Sequence, residues 1–143
     1  MMKQENFKRN KEAYLSIIDK YDAILKAMPA MIQTNAETLY EIAEKVNISN
    51  SALSNKIHGR RSWQYEDIKK LVGVIGSQEQ QEIVEKYSYI VQDILPIIKE
   101  NGYKYGFVFE KAGLSHTQYQ VRIRSFSVWE VDEVRRVITV LRF

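Results

Sequence analysis

The stretch from residue 47 to residue 63, NISNSALSNKIHGRRSW, carries more hydrogen-bonding side chains than a core element needs. Small polar residues occupy most of its turns, and Arg60 and Arg61 follow directly. Amide and hydroxyl groups donate and accept hydrogen bonds, and guanidinium groups pair with anions through two parallel hydrogen bonds. The residues alone leave two interpretations open: a surface that binds a partner, or a solvated helix face with ordinary solubilising charge.

Other residue types that perform chemistry are scarce in this chain. It has no cysteine, no glycine-rich phosphate loop and no serine with a convincing base nearby in sequence. His58 and His116 are the only histidines and lack the spacing of a metal-binding pair. Acidic pairs such as Glu66 and Asp67 stand at a helix start, where they suit the helix dipole. We therefore expect no enzyme activity, no metal and no cofactor.

The composition is typical of a globular protein with a slight excess of positive charge. The 143 residues are enough for one or two small domains. A net charge of +3 permits nucleic-acid binding without establishing it. No apolar run approaches the roughly 20 residues of a membrane span, and the N-terminus has no signal-peptide apolar core. Together with the absence of cysteine, these features predict a cytoplasmic protein without a membrane partner.

An internal repeat organises the chain. An offset of 66 residues aligns EDIKKLVGVI (66–75) with DEVRRVITVL (132–141), matching charge and apolarity position by position. The same offset relates Trp63 to Trp129, Ser49 to Ser115, Tyr21 to Tyr87 and Ile57 to Ile123. We infer two copies of one unit, copy one at about residues 12–76 and copy two at about 78–142.

The periodicity within each copy is helical, with apolar residues at spacings of three and four. Pro29 is expected to kink or restart the first helix. Asn47 and Gly113 suit the left-handed conformation that ends a short helix, and Ser49 and Ser115 then follow as N-caps. The sequence thus predicts an all-α fold of two tandem five-helix units. The predicted domains are residues 1–76, an N-terminal helix plus the first unit, and residues 77–143, the second unit.

Residues 38–72, TLYEIAEKVNISNSALSNKIHGRRSWQYEDIKKLV, resemble the lambda-repressor-like (Cro and repressor type) helix-turn-helix family. The matching features include Ala43, whose small side chain lets two helices cross closely, and the apolar Leu53 and Ile57 of the second helix. The resemblance implies that the second helix, within residues 49–58, enters the major groove of DNA. It implies base contacts from Asn50, Ser51 and Asn55, and phosphate contacts from Ser49, Lys56, Arg60 and Arg61. One departure is Leu39, where the family often has a phosphate-binding glutamine.

Copy two carries the resemblance less well. Phe109 stands where Ala43 stands, and Phe126 and Ser127 replace the arginine pair. The residues at the exposed positions of its second helix and on the flanks are His116, Thr117, Gln118, Gln120, Val121, Arg122 and Arg124. These side chains can contact DNA, so copy two stays open as a second DNA-binding unit, here called a head. The apolar residues at 119, 121, 126 and 128 leave a subunit contact equally open.

The leading prediction is a sequence-specific protein that binds double-stranded DNA, a bacterial or phage transcriptional regulator as the resemblance implies. Two heads on one chain would cover two half-sites about 34 Å apart. The alternative is a protein-interaction or oligomerisation module, antitoxin-like or a phage component, without specific DNA readout. A homodimer stays open, because the N-terminal helix, expected over residues 3–28, suits either packing between the copies or a dimer contact.

Overall fold

The computed structural model describes residues 9–143, and these are helical over most of their length. No strand occurs among them, so the predicted all-α class is confirmed. The α-helices in this part of the chain are α1 (Lys11–Gln33), α2 (Leu39–Val46), α3 (Asn50–Ile57), α4 (Tyr65–Ile75), α5 (Gln78–Glu100), α6 (Tyr105–Lys111), α7 (His116–Arg122) and α8 (Val131–Val140). A short 3₁₀ turn, Phe126–Val128, precedes α8. Residues 3–8 of the expected N-terminal helix lie outside the described residues.

Both long helices run through a proline. Pro29 lies inside α1 and Pro96 lies inside α5, so no new helix begins at Pro29. Met28 and Ile32 are buried on either side of Pro29, and this burial holds α1 to the core there although proline donates no backbone hydrogen bond. Within residues 9–143 each copy therefore has four α-helices, and the predicted arrangement of five per unit is not found.

The helix order repeats along the chain, with α1 to α4 in copy one and α5 to α8 in copy two. The short turns repeat as well. Asn47 has φ of 56° and Gly113 has φ of 84°, so both adopt the predicted left-handed conformation. Ser49 and Ser115 are the predicted N-caps, each accepting a hydrogen bond from a backbone N–H three residues ahead. These local signals fix α2–α3 and α6–α7 as two helix-turn-helix pairs.

The two copies pack against each other reciprocally. Helix α1 of copy one lies against α5 and α8 of copy two, and its counterpart α5 lies against α4 of copy one. Reciprocal contacts of this kind are the mark of an isologous, two-fold interface. Buried residues of both copies form one continuous hydrophobic core. Helices from both halves of the chain thus contribute to one shared apolar interior.

A pair of stacked tyrosines lies where α1 meets α5. Tyr21 and Tyr87, which the repeat aligns, stack with ring centroids 3.7 Å apart and planes 2° from parallel. Both side chains are buried, and burial raises the pKa of each phenol above its usual range. The stacked pair thus joins α1 to α5 at positions that the 66-residue offset aligns.

The start of α1 is tied to copy two by a polar network. The Arg9 guanidinium donates two hydrogen bonds to Asp93, at 2.9 and 2.7 Å, and the Tyr14 hydroxyl donates one at 2.7 Å. Asp93 is buried in α5, so these hydrogen bonds compensate its desolvation. Of the two roles left open for the N-terminal helix, the structure therefore supports packing between the copies.

Candidate nucleic-acid interface

Helix α3 is attached to the molecule by one side and leaves the other side open. Leu53 is fully buried and anchors the inner face. Asn50 and Ser51, in the first turn, are exposed, as is the capping residue Ser49. Helix α3 carries a single fully buried residue among its eight, and the five residues other than Asn50, Ser51 and Leu53 are half-buried. This explains why the sequence has so few large apolar residues in this stretch.

The predicted arginine pair follows α3 without a break. Gly59, with φ of 75°, turns the chain, and the backbone N–H of Arg60 donates to the carbonyl oxygen of Asn55 at 2.8 Å. Both arginine side chains are exposed. The Arg60 guanidinium also donates to Asn55 Oδ1 at 3.3 Å, so these two predicted contact residues lie side by side on the surface. The guanidinium groups therefore flank α3 at its C-terminal end.

Lys56 is placed differently from the other predicted phosphate contacts. Its ammonium group pairs with Asp67 of α4 at 2.6 Å, and both side chains are largely shielded, with 11% and 16% of their surface exposed. Asp67 also accepts a hydrogen bond from the backbone N–H of Gln64 at the start of α4. The Lys56–Asp67 ion pair thus joins α3 to α4, and Asp67 neutralises the charge of Lys56. We call this ion pair the clamp of copy one.

Copy two contains the same clamp at the repeat-equivalent positions. Arg122 of α7 donates two hydrogen bonds to Glu133 of α8, at 2.9 and 3.0 Å. Only 3% of the Glu133 side chain is exposed, and Glu133 also accepts from the backbone N–H of Glu130. Trp129 donates from its indole N–H to the Arg122 carbonyl at 3.0 Å. The predicted flanking cation Arg122 is therefore also engaged inside the protein.

The remaining candidates in α7 are partly occupied. His116 and Thr117 are exposed in the first turn, and Arg124 is exposed beyond the helix end. Gln118 caps the helix, since its side-chain oxygen accepts from the backbone N–H of Ser115 at 2.8 Å. Gln120 donates to the Tyr119 hydroxyl at 3.2 Å. Among the predicted contacts of copy two, Thr117 and Arg124 are thus exposed, and His116 is exposed with its ring packed edge-on against Tyr119, 5.0 Å between centroids.

The apolar residues of copy two are mostly turned inward. Phe109 is fully buried, with its ring centroid 5.5 Å from those of Tyr119 and Trp129. Phe126 packs edge-on against Tyr65 of copy one at 5.7 Å. Val121 is 45% exposed. Of the apolar surface expected at 119, 121, 126 and 128, the valine at 121 is exposed and the other three residues are half-buried.

A cleft of about 650 Å³ lies where α1 and the segment after α3 meet the start of α8. Arg60, Arg61 and Trp63 line one wall, and Trp129 and Asp132 are among the residues of the other. Trp129 is buried, whereas Trp63 is partly exposed. The arginine pair thus borders both the outer face of α3 and the junction between the copies.

The described residues hold no cluster of histidine, aspartate and glutamate that could bind a metal ion. Within the same part of the chain, no helix is long and apolar enough to cross a membrane. The chain matches no protein-family model, no curated protein and no solved structure.

Proposed function

We propose that this protein binds double-stranded DNA and inserts α3 of copy one into the major groove. The observation that carries the proposal is the combination of a buried Leu53 with exposed Asn50 and Ser51 on one helix, because it leaves a rigid, polar rod at the surface. Asparagine pairs through two hydrogen bonds with adenine, and serine hydrogen-bonds to several bases. Arg60 and Arg61 supply the phosphate contacts.

Helix α7 of copy two is the second head in this proposal. The approximate two-fold relation between the copies gives the single chain the arrangement that a dimeric DNA-binding protein has between subunits. His116 and Thr117 stand where Asn50 and Ser51 stand in copy one, but Val121 stands where Asn55 stands. A valine offers a base no hydrogen bond and contacts only a thymine methyl group. Copy two is accordingly the weaker and less selective head, and the function is that of a transcriptional regulator with unequal half-sites.

Selection of sites from a randomised DNA pool tests the proposal, followed by titration of the selected duplex. Asn50→Ala is expected to lower discrimination at one base pair of the strong half-site by about 1–3 kcal/mol, whereas His116→Ala changes the weaker half-site by less. Arg61→Ala is expected to weaken binding to all sequences alike. It is also expected to lower the slope of log K against log salt concentration by about the amount that one phosphate contact contributes. Lys20→Ala, an exposed lysine on α1, is the matched control for loss of one positive charge.

Two results would contradict the assignment. One is equal losses on every duplex for Asn50→Ala and Arg61→Ala. The other is the absence of any salt-sensitive binding to a pool of random duplexes, which would favour the alternative of a protein-interaction module.

A further inference from the structure

Copy two exposes a basic–aromatic patch on α6 and the turn before it. Its members are Tyr103, Lys104, Phe107 and Lys111. Phe107 is 54% exposed and Tyr103 is 38% exposed, and their rings stack 5.9 Å apart. The Lys111 ammonium lies 5.5 Å from the centre of the Phe107 ring. Exposed aromatic rings bordered by lysines cost solvation free energy unless a partner covers them, so the patch indicates an interaction surface.

The repeat-equivalent surface of copy one is more acidic, although Glu44 has an acidic counterpart, the exposed Glu110 beside the basic–aromatic patch. Its acidic patch consists of Glu37, Tyr40, Glu41 and Glu44 on α2 and the turn before it. Glu37 stands where Tyr103 stands, Glu41 stands where Phe107 stands, and Tyr40 is 68% exposed. The change is local, because most other features of the two helix-turn-helix pairs are alike.

One lysine shows how the two patches differ. Lys45 of copy one pairs with Glu37 at 2.5 Å. Its counterpart Lys111 has no acidic residue in place of Glu37, because Tyr103 stands there, and it lies over an aromatic ring instead. Among the described residues, no ion pair joins the acidic patch to the basic–aromatic patch within the chain. Because Glu37 is paired with Lys45 and Glu41 caps α2, the exposed Glu44 of the acidic patch and the exposed Lys104 and Lys111 of the basic–aromatic patch are the charges open to a second molecule.

We propose that the basic–aromatic patch of one molecule binds the acidic patch of a second copy of this chain. The carboxylate of Glu44 would face Lys104 and Lys111, and Tyr40 would pack against Phe107. Complementary charge and exposed aromatic rings are the features that interfaces favour. Because the two patches differ, the contact is head-to-tail: each molecule uses its acidic patch on one neighbour and its basic–aromatic patch on another, so the assembly grows as a chain or closes as a ring. The interface is small, weak and sensitive to salt.

The proposal is independent of DNA and is tested without it. Sedimentation velocity of the full chain at increasing concentration is expected to show species larger than a dimer at low ionic strength and monomers at high ionic strength. Glu44→Lys and Lys104→Glu are expected each to weaken association roughly tenfold or more. Neither change removes a capping hydrogen bond, since Lys104 makes none and the α2 capping box uses Thr38 and Glu41. Lys20→Glu and Glu82→Lys, on exposed positions of α1 and α5, are the matched charge-reversal controls.

Mixing the two variants separates this arrangement from other forms of association. Glu44→Lys keeps an intact basic–aromatic patch, and Lys104→Glu keeps an intact acidic patch. An equimolar mixture is therefore expected to restore association although each variant alone is monomeric, because the intact patches attract each other and the two reversed positions do so as well. Combining both changes in one chain is expected to restore association with reversed polarity.

Several outcomes would overturn the proposal. These are a wild-type chain that is monomeric at every concentration and salt, a closed dimer that both reversals leave intact, and a mixture that fails to associate while both variants retain the wild-type circular dichroism and melting temperature. If a single-stranded oligonucleotide binds the wild-type monomer and Lys104→Glu abolishes this binding, the patch is a nucleic-acid site instead.

Discussion

The two helix-turn-helix heads are built on the same plan but are held in place by different contacts. Helix α3 is anchored by the fully buried Leu53, whereas no residue of α7 is buried. Tyr119, the counterpart of Leu53, is partly exposed and leans on the buried Phe109. Copy two therefore compensates for a weaker anchor with a larger aromatic core and a more deeply buried ion pair.

The segment after each head shows what this difference does to function. In copy one it carries the exposed Arg60 and Arg61. In copy two the aligned segment contains Phe126, which packs against Tyr65 across the junction between the copies. Copy one thus has two exposed cations where copy two has an aromatic contact across the junction.

The largest expected effect comes from truncating Phe109 in the aromatic core of copy two. Phe109→Ala is expected to lower the free energy of unfolding by about 4 kcal/mol, because it leaves a cavity where Tyr119 and Trp129 meet. Urea titration followed by tryptophan fluorescence measures the change. The counterpart site is already alanine, so Ala43→Gly is the matched small change in copy one, with a cost of about 1 kcal/mol from helix propensity. Similar losses for the two variants would break the claim that copy two depends on its aromatic core.

The paired clamps give a second, smaller test. Glu133→Ala is expected to cost roughly 2 kcal/mol, since it leaves the Arg122 guanidinium partly buried without its carboxylate. Asp67→Ala is expected to cost about 1 kcal/mol, because Lys56 and Asp67 are nearer to solvent as a pair. Chemical denaturation of both variants checks the order. A double-mutant cycle with Arg122→Met isolates the pair, and a coupling free energy near zero would contradict its role as a clamp.

The two ion pairs also show which roles could not be predicted from the sequence. The capping serines, the left-handed Asn47 and Gly113, and the all-α class are confirmed, because each depends on a local signal that neighbouring residues do not override. Lys56 and Arg122 were predicted as phosphate and flanking contacts, yet both pair with a carboxylate eleven residues further along the chain. A signal was present, since the 66-residue offset keeps a cation at 56 and 122 and an anion at 67 and 133.

The prediction of five helices per unit is not confirmed, for a different reason. A proline inside a helix is unfavourable in isolation, but α1 is held by buried apolar residues on both sides of Pro29, and tertiary packing outweighs the lost hydrogen bond. The reciprocal packing of the copies could not be predicted from periodicity either. An apolar periodicity indicates that a helix face is buried, but it does not indicate which copy covers that face.

The smallest expected effect concerns the start of each helix-turn-helix pair. The Thr38 hydroxyl accepts from the backbone N–H of Glu41, and the Glu41 carboxylate accepts from the backbone N–H of Thr38. At the equivalent place in copy two, Lys104 makes no capping hydrogen bond. Thr38→Ala is therefore expected to cost about 1 kcal/mol, and Lys104→Ala close to nothing. Thermal unfolding in dilute solution measures both, and equal costs would mean that the structure assigns the cap to the wrong copy.

The same cap predicts a dependence on pH that copy two lacks. The backbone hydrogen bond from Thr38 lowers the pKa of Glu41 below its usual range. A carboxylate with a lowered pKa in the folded state contributes stability above its unfolded pKa, near 4.3, and that contribution is lost as the pH falls through the folded pKa. The difference in stability between wild type and Glu41→Gln is thus expected to be present at pH 7 and to vanish in strong acid. A difference that stays constant across this range would show that the Glu41 charge takes no part in holding α2.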